Sequence, residues 1–396
     1  MNTDVKNTSK LILIPCILIF CIFLLISCSR SVIVHADSDV ETAEEVIIDP
    51  LRIRSSEIVS SMSESLLASQ LLITGIDGNT GLLPHMIELL SGAPAGGIMF
   101  FRYNLNTNTG TIRSLISQCS SLIINQSGIA PFIAVDHEGG TVNRLPRSVA
   151  SLPSASSYWD VFKAEGEKAA LSKLQNDSFK AGAELNDLGF NMNFAPVAEH
   201  LIDENRDFLA MRSYGPNPGF TAKAASLFMQ SMAESGVLCV LKHFPGSAGH
   251  DPHYAVSVLN TDEAGFDILV YPFREAVNKG ARAVMAAHTS VPFIDDKIAS
   301  LSPVFLNDIL RVSLKFDGII ISDDFIMTAA GNLKPEDATV LSIIAGSDMV
   351  LVWPPYLRST HRAIMTALED GRLSYERLQE AAQRIIYEKL LLGIIE

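Results

Sequence analysis

The sequence has few cysteines, no cysteine or histidine cluster at the usual metal-ligand spacings, and no long basic run. Three of its five cysteines lie in the first 28 residues, so only Cys119 and Cys239 remain in the body of the chain. C-x-x-C, H-x-H and H-E-x-x-H are all absent, which disfavours a zinc site. The formal net charge of −14 argues against nucleic acid as a partner, because phosphate binding requires clustered Lys and Arg.

The N-terminus has the pattern of an export signal. Lys6 and Lys10 precede an apolar run over residues 11–26, which ends in Leu-Ile-Ser-Cys at Cys28. A basic segment, an apolar segment and a small residue before the cleavage point are typical of a secretory signal. Because Leu-x-Ser-Cys resembles a bacterial lipobox, we predict a lipoprotein signal over residues 1–27, with lipid attached to Cys28. The alternative is an uncleaved membrane anchor.

Either N-terminal arrangement predicts an exported protein tethered to a membrane, on a periplasmic or cell-surface face. Residues 28–54 contain the acidic stretch 37–45 and show no apolar period, which predicts a flexible linker. Residues 55–396 are then long enough, in a chain that is 48% hydrophobic, to form one large domain.

From residue 55 onward, short β-rich runs alternate with longer segments of helical periodicity. The continuously apolar runs predict buried parallel strands at 72–75, 97–101, 132–135, 190–195, 237–241, 282–287, 318–322 and 348–352. The intervening periodicity predicts helices at 56–71, 111–124, 165–188, 221–235, 262–278 and 302–314, with a last helix at 374–392. This alternation predicts a (β/α)₈ TIM barrel, with a doubly wound open sheet as the alternative.

The positions of the polar residues favour the barrel. Five predicted strands are followed at once by titratable side chains: Asp136 to Glu138, Glu199 and His200, Lys242 and His243, His288, and Asp323 with Asp324. In a (β/α)₈ barrel the carboxyl ends of all strands meet at one face, where the active site lies. The open-sheet alternative is weakened further because no G-x-G-x-x-G follows an early strand.

Carboxylates, histidines, a lysine and two arginines at one rim suit a ligand that carries many hydroxyl groups. Hydrolysis of a glycosidic bond needs one group that attacks or stabilises the anomeric centre and another that protonates the leaving oxygen. A competing interpretation is a metal hydrolase, whose ligands would come from His243, His250, His253, His288 and Asp136. The missing metal-binding motifs disfavour it.

Seven segments, in this order, resemble glycoside hydrolase family 3, and more narrowly its bacterial NagZ-type β-N-acetylglucosaminidases. They are Gly-Gly-Ile-Met-Phe-Phe at 96–101, Asp-x-Glu-Gly-Gly at 136–140 running to Arg144, Asn-Phe-Ala-Pro-Val at 193–197, Arg-Ser-Tyr-Gly at 212–215, Lys-His-Phe-Pro-Gly at 242–246, Ser-Asp-Asp at 322–324 and Ala-Gly-Ser-Asp at 345–348. The likeness extends over about residues 71–393. It implies a (β/α)₈ barrel and a retaining, two-step β-N-acetylhexosaminidase that acts on peptidoglycan or other amino-sugar fragments.

The resemblance also implies roles for individual residues. Asp323 matches the nucleophile, and Asp251 with His253 matches the Asp-x-His pair in which the histidine is the acid/base. The positions that match sugar-binding residues are Asp136, Arg144, Arg212, Lys242 and His243. Glu138 and Asp324 are expected to bond backbone or arginine near the site. No metal or organic cofactor is implied, since two side chains suffice for both steps.

Two departures from the family pattern affect these expectations. The loop after Lys-His-Phe-Pro-Gly is two residues shorter than usual, which makes His250 a rival to His253 as the acid. Glu199 stands where the family usually has Asp. Two other functions therefore stay open: a β-glucosidase or β-xylosidase of the same family, which typically takes its acid from a further domain, and a sugar-binding lipoprotein without catalysis.

Overall fold

The computed structural model describes residues 49–146, 148–249, 257–326 and 333–396, all of which lie in the unit that spans residues 48–396. Eight short parallel strands form a closed barrel at its centre. In chain order they are β1 Leu72–Gly75, β2 Gly97–Phe100, β3 Phe132–Val135, β4 Met192–Asn193, β5 Leu238–Phe244, β6 Ala283–Ala286, β7 Ile319–Ser322 and β8 Met349–Val352.

Each strand pairs with the strand before it and the strand after it in the chain, and β1 pairs with β8 to close the ring. The closing pair aligns Leu72 with Val350 and Thr74 with Val352. All eight strands are buried, because helices cover their outer side and side chains fill the barrel interior. The predicted (β/α)₈ barrel is therefore confirmed.

The helices cover the outside of the ring and connect one strand to the next. The α-helices are Pro50–Ser61, Glu64–Gln70, Pro84–Gly92, Arg102–Leu105, Thr109–Ser127, Ala155–Glu165, Glu167–Leu188, Arg206–Leu209, Pro218–Ala233, Glu263–Asn278, Pro335–Ala345, Leu357–Glu369 and Tyr375–Leu391. Val304–Ser313 forms a π-helix, and single 3₁₀ turns span Ala210–Arg212, Ala299–Leu301 and Pro354–Tyr356.

One predicted helix is divided in the structure, and another begins two residues later than predicted. The segment predicted as one helix over 56–71 breaks at Ser63, whose hydroxyl accepts a hydrogen bond from the amide of Leu66 and so begins a second helix. The segment predicted as a helix over 165–188 forms the helix Glu167–Leu188, because a separate helix ends at Glu165 and Gly166 between the two has a backbone φ of 91°. The first helix begins at Pro50, so the predicted linker overlaps it by residues 50–54.

Two small sheets follow the carboxyl ends of the barrel strands. A hairpin of His137–Gly139 and Val142–Asn143 follows β3. Ser257–Val258 follows β5 and pairs with Thr289–Val291, which follows β6 and pairs in turn with Asp295–Ile298. These insertions raise the rim of the barrel at the face where polar residues were predicted to collect.

A buried ion cluster fixes the opposite end of the last strand. Asp348, directly before β8, is fully buried and bonds the guanidinium groups of Arg311, Arg377 and Arg384. Its carboxylate also accepts the backbone N–H of Ile320 at 2.9 Å. Burial opposes ionisation of Asp348, but the three arginines outweigh it and lower the pKa of its carboxyl. The cluster thereby joins β7, β8 and two surrounding helices.

The two cysteines of the body, Cys119 and Cys239, are both free thiols and both buried, as predicted. Burial raises the pKa of the Cys119 thiol to about 12. Among the residues described from 49 onward, no helix has the length and apolar character to cross a membrane. The predicted lipidation site, Cys28, lies outside the described residues.

Candidate active site

A cavity of about 200 Å³ opens at the carboxyl ends of the barrel strands. Its polar lining consists of Asp136, Glu138, Arg144, Arg212, Lys242, His243, Asp323 and Asp324. Its apolar lining consists of Met99, Phe101, Val142, Phe194, Phe208, Met285, Leu351 and Trp353. A concave site with mostly apolar walls and a few convergent charged groups is the usual form of a small-molecule binding site.

Lys242 connects two carboxylates at the base of this cavity. Its ammonium lies 2.8 Å from Asp136 Oδ1 and 2.7 Å from Glu138 Oε1. Arg144 Nη2 donates to the other oxygen of Asp136 at 3.2 Å. Burial disfavours the charged form of Asp136, but Lys242 and Arg144 outweigh it, so the pKa of this carboxyl is lowered. Asp136 and Lys242 are therefore both ionised at neutral pH.

Glu138 is held by Arg212 through two parallel hydrogen bonds. Arg212 Nε donates to Oε2 at 2.8 Å, and Nη2 donates to Oε1 at 2.9 Å. Burial opposes ionisation of Glu138, but Lys242 and Arg212 more than offset it and lower its pKa well below the ordinary value. Such bidentate pairing fixes the guanidinium plane relative to the carboxylate plane. Lys242 and Arg212 are thus held rigidly, with hydrogen-bond donors left over for a ligand.

His243 is oriented by Glu199, which follows β4. Glu199 Oε1 lies 2.7 Å from His243 Nδ1 and also accepts the backbone N–H of His243 at 3.1 Å, while the hydroxyl of Ser247 donates to Oε2 at 2.6 Å. Burial opposes ionisation of Glu199, but these hydrogen bonds lower its pKa. Because an ionised carboxylate only accepts, Nδ1 carries a proton, and Nε2 is directed away from Glu199.

Asp323 and Asp324 follow β7 and have different surroundings. The amide of Asp324 donates to Asp323 Oδ1 at 2.9 Å, and the amide of Asp323 donates to the carbonyl of Ala286 at 3.2 Å. The side chain of Asp324 accepts the amide of Ile326 and the indole N–H of Trp353. Both aspartates line the cavity, but Asp324 is bonded as a structural residue would be.

The histidines proposed as metal ligands have other contacts or lie outside the described residues. His288 is buried, with Nδ1 2.7 Å from Ser300 Oγ and Nε2 3.0 Å from the carbonyl oxygen of Asp324. His250 and His253 are among the residues that the structure does not describe. Within the described ranges, no group of three His, Cys, Asp or Glu side chains is arranged to hold a metal ion.

The structure brings together six of the residues predicted from the sequence: Asp136, Arg144, Arg212, Lys242, His243 and Asp323 all line one cavity. Glu138 and Asp324 have the arginine and backbone contacts that were expected of them. The predicted acid/base pair, Asp251 and His253, lies outside the described residues. Its role therefore stays a prediction.

Sequence reasoning missed the aromatic wall of the cavity. Trp353 follows β8 and stacks on Phe101, with ring centroids 5.0 Å apart and planes 12° from parallel. Phe101 stacks in turn on Tyr103 at 5.8 Å. Trp353 directly follows the predicted strand 348–352, so the strand-end rule that identifies Asp323 also identifies Trp353 when it is extended to aromatic side chains.

Comparison with known proteins agrees with this site. The family model described as the glycosyl hydrolase family 3 N-terminal domain matches residues 83–387. A β-hexosaminidase of Hydrogenovibrio crunogenus is 31% identical over 307 residues, which cover 76% of this chain and 83% of that protein.

Two solved structures are similar in fold and sequence. A family 3 β-N-acetylglucosaminidase from a Paenibacillus species has a TM-score of 0.78 at 27% identity, over 84% of this chain and 63% of that longer protein. NagZ from Neisseria gonorrhoeae, solved with N-trifluoroacetyl-D-glucosamine, has a TM-score of 0.66 at 26% identity, over 80% of this chain and 97% of that protein. With its family match, its barrel and its charged cavity, this chain belongs to glycoside hydrolase family 3.

Proposed function

We propose that this protein is a retaining β-N-acetylhexosaminidase that removes terminal β-linked N-acetylglucosamine from peptidoglycan or other amino-sugar fragments. The observation that carries the proposal is the position of Asp323. It follows β7, diametrically opposite β3 in the eight-stranded ring, and β3 supplies Asp136 and the segment that leads to Arg144. A sugar held at its hydroxyl groups by Asp136 and Arg144 would present its anomeric carbon to Asp323.

In the first step, Asp323 attacks the anomeric carbon. The amide of Asp324 holds Oδ1, so the attack falls to Oδ2. A carbon–oxygen bond forms to the carboxylate, the glycosidic bond breaks, and the leaving oxygen takes a proton from the acid. In the second step, water attacks the same carbon, gives its proton to the base and releases Asp323, so the configuration is retained.

The acid and base in both steps is His253, with Asp251 as its partner. Imidazole has an ordinary pKa near 6.5, which suits a group that must donate and then accept a proton. The sequence supports this assignment through the Asp-x-His spacing. His250 is the rival, and a His253→Ala variant that keeps its pH profile would favour it.

The charged network would bind the sugar hydroxyl groups. Lys242 has three N–H donors, of which two face Asp136 and Glu138, so the third is available to a hydroxyl oxygen. The ionised carboxylate of Asp136 adds acceptor oxygens, and His243 Nε2 adds a further polar atom. Since the ion pairs fix these side chains before the substrate arrives, the side chains lose little conformational freedom when it binds.

The relatives support the choice of amino sugar. The Hydrogenovibrio protein is named a β-hexosaminidase, and the Paenibacillus and Neisseria structures are of a β-N-acetylglucosaminidase and of NagZ with an N-trifluoroacetyl glucosamine. No metal or organic cofactor takes part in the proposed steps, since carboxylate and imidazole supply the chemistry.

The proposal is tested by the release of nitrophenol from the β-N-acetylglucosaminide and the β-glucoside. We expect turnover of the amino sugar and a loss of roughly 10³-fold or more in kcat for Asp323→Asn. Asp308→Asn, at an exposed position of the helix Val304–Ser313, is the matched control and should retain full activity. Activity on the glucoside alone would indicate a β-glucosidase, and binding without turnover by folded protein would indicate a sugar-binding lipoprotein.

We also propose that Cys28 carries a lipid that anchors the exported protein to a membrane. The support is the basic and apolar run that ends in Leu-Ile-Ser-Cys. Metabolic labelling with a fatty acid should mark the wild-type protein and not Cys28→Ser, which should leave the membrane fraction or stay unprocessed. Equal labelling of both proteins would contradict the proposal.

A further inference from the structure

A second cavity of about 200 Å³ lies beside the catalytic cavity and shares Arg144 with it. Arg102, Asn106 and Asn143 line it as well, together with a glycine, a leucine and a proline from the segment 140–146. We call it the Arg102 pocket. Nothing in the proposed mechanism uses Arg102 or Asn106.

The charged side chains that line the Arg102 pocket have the same sign. Among the described residues that line it, the only charged side chains are Arg102 and Arg144, in a chain whose net charge is −14. Asn106 and Asn143 add amide groups that can donate hydrogen bonds. A concave surface lined by two guanidinium groups and neutral amides favours an anion.

Neither arginine is fully engaged by its protein partners. Arg102 donates through Nη2 to the carbonyl oxygen of Asn143 at 2.7 Å, which fixes its position without neutralising it. Arg144 donates through Nη2 to Asp136, but Asp136 also faces Lys242. Each guanidinium has five N–H donors, so both retain donors for a ligand.

The carboxylates of the catalytic cavity line that cavity and not the Arg102 pocket. Lys242, Arg144 and Arg212 face Asp136 and Glu138, while Asp323 and Asp324 follow β7 on the other side of the ring. Arg102 adds a positive charge beside them. An anion in the Arg102 pocket would therefore meet two guanidinium groups without a carboxylate between them.

The ring topology places the Arg102 pocket relative to the sugar. Asp323 lies at β7 and Asp136 at β3, and four strand intervals separate them in either direction. A sugar with its anomeric carbon at Asp323 would have its opposite end, C4 with the neighbouring C6 group, at Asp136 and Arg144, because C1 and C4 lie across the pyranose ring. The Arg102 pocket continues past that end, on the side away from the bond that breaks.

We infer that the Arg102 pocket binds a phosphate or sulfate ester on C6 of the glycone, so that the preferred substrate is an anionic N-acetylglucosaminide. The inference rests on the proposed function, because Asp323 sets the direction of the sugar. It adds a charged group to the substrate class, and it assigns specificity to Arg102 and Asn106.

Titration calorimetry on the full chain tests the inference without requiring turnover. The probes are N-acetylglucosamine, its 6-phosphate and its 6-sulfate. We expect the two esters to bind about tenfold or more tightly than the neutral sugar, with an advantage that shrinks as salt is added. Equal binding of the three sugars, or weaker binding of the esters, would overturn the inference.

Variants of Arg102 and Asn106, which have no role in the proposed mechanism, make the test specific. Asn106→Asp places a carboxylate in the pocket at an exposed position and leaves the bond from Arg102 to Asn143 in place. It should abolish the ester advantage, with binding of the neutral sugar and hydrolysis of its nitrophenyl glycoside unchanged. Arg102→Gln should do the same, and Arg102→Lys should retain most of the advantage. Asn125→Asp, exposed on the helix Thr109–Ser127, controls for the added charge.

The outcomes separate this inference from the proposed function. If the neutral sugar is bound and its glycoside hydrolysed without any gain from the ester, the inference alone fails. If neither the neutral sugar nor its esters bind to folded protein, both fail. An ester advantage that survives Asn106→Asp would also reject the Arg102 pocket as its source.

Discussion

Trp353 and Asp324 join the ends of β7 and β8 beside the proposed nucleophile. The indole N–H of Trp353 donates to the carboxylate of Asp324, whose amide in turn holds Asp323 Oδ1. Trp353 also forms part of the cavity wall through its stacking on Phe101. The residue therefore acts on the reaction through Asp324, as a positioning residue.

Trp353→Phe separates this hydrogen bond from the stacking. The phenyl ring can still face Phe101, but the donor to a nearly buried carboxylate is lost. We expect kcat to fall about tenfold, with KM and the melting temperature little changed. The same substitution at Trp159, the chain's other tryptophan, which stacks on Phe162, is the control. Wild-type kcat in Trp353→Phe would contradict the positioning role.

For individual residues, the sequence predicted which titratable groups line the cavity better than it predicted their contacts. Asp136, Lys242 and Asp323 could be found because each stands at the end of an apolar run. The stacking of Trp353 on Phe101 and the bond from Arg102 to Asn143 depend on loops from different strands. A linear pattern carries no information on such contacts.

The strands differ in how well their ends could be predicted. β1 and β3 match the predicted runs residue for residue, whereas β5 was expected to end at Leu241 and continues to Phe244. Lys242 and His243 can stay in the buried strand because Asp136, Glu138 and Glu199 compensate them. Lys242 and His243 suggested a strand end in the sequence because the carboxylates that compensate them are distant along the chain.

β4 is shorter than predicted for a different reason. The run 190–195 was expected to be a strand, but only Met192–Asn193 pairs regularly with both neighbours. The amide of Ala195 donates a hydrogen bond to the carbonyl oxygen of Asn193 at 2.8 Å, which turns the chain, and Pro196 has no N–H to continue the strand pairing. The turn directs the chain toward Glu199 and so toward the site.

The last helix, Tyr375–Leu391, places a lysine at the amino end of the barrel. Lys389 is fully buried, donates to Gln70 Oε1 at 2.7 Å and lies 5.1 Å above the ring of Phe132. Burial lowers the pKa of this lysine to about 7. At pH 6 the folded protein must therefore hold a buried ammonium ion, which the unfolded chain leaves in water.

The sign of the pH dependence follows from proton binding. Between about pH 7 and pH 10.5 the unfolded chain keeps the proton on Lys389 and the folded protein does not, so stability rises with pH over that window. Lys389→Met should raise the free energy of unfolding by about 1–4 kcal/mol at pH 6. The gain should shrink by about 1.4 kcal/mol for each pH unit above 7.

Urea unfolding of the wild type and of Lys389→Met at pH 6 and pH 9 measures this difference. Lys168→Met, at an exposed position, is the matched control and should show no such change between the two pH values. A stability difference for Lys389→Met that is equal at both pH values would show that Lys389 is not neutral in the folded protein at pH 9.

At the scale of the whole molecule, the strict alternation of strands and helices determined the barrel. Each strand pairs with its neighbours in sequence, so the ring order follows from the chain order. That order also places Asp323 opposite Asp136, which is the basis of the proposed function. The Arg102 pocket could not be predicted, because it forms where the hairpin after β3 meets the residues that follow β2.

Charge is distributed unevenly over the molecule. A chain with a net charge of −14 gathers Lys242, Arg144 and Arg212 at one cavity and adds Arg102 beside it. The positive field is therefore local to the Arg102 pocket, because four carboxylates, Asp136, Glu138, Asp323 and Asp324, line the catalytic cavity itself. Such a field attracts an anionic ligand to the site and weakens as salt is added.

The most direct measurement of the central claim is the mass of the enzyme quenched with acid during turnover of the nitrophenyl β-N-acetylglucosaminide. We predict a species heavier by one N-acetylhexosamine residue, with the modification on the peptide that contains Asp323, and no such species in Asp323→Asn. A sugar attached to another residue, or release of the α-anomer as first product without any attached sugar, would contradict a retaining mechanism through Asp323.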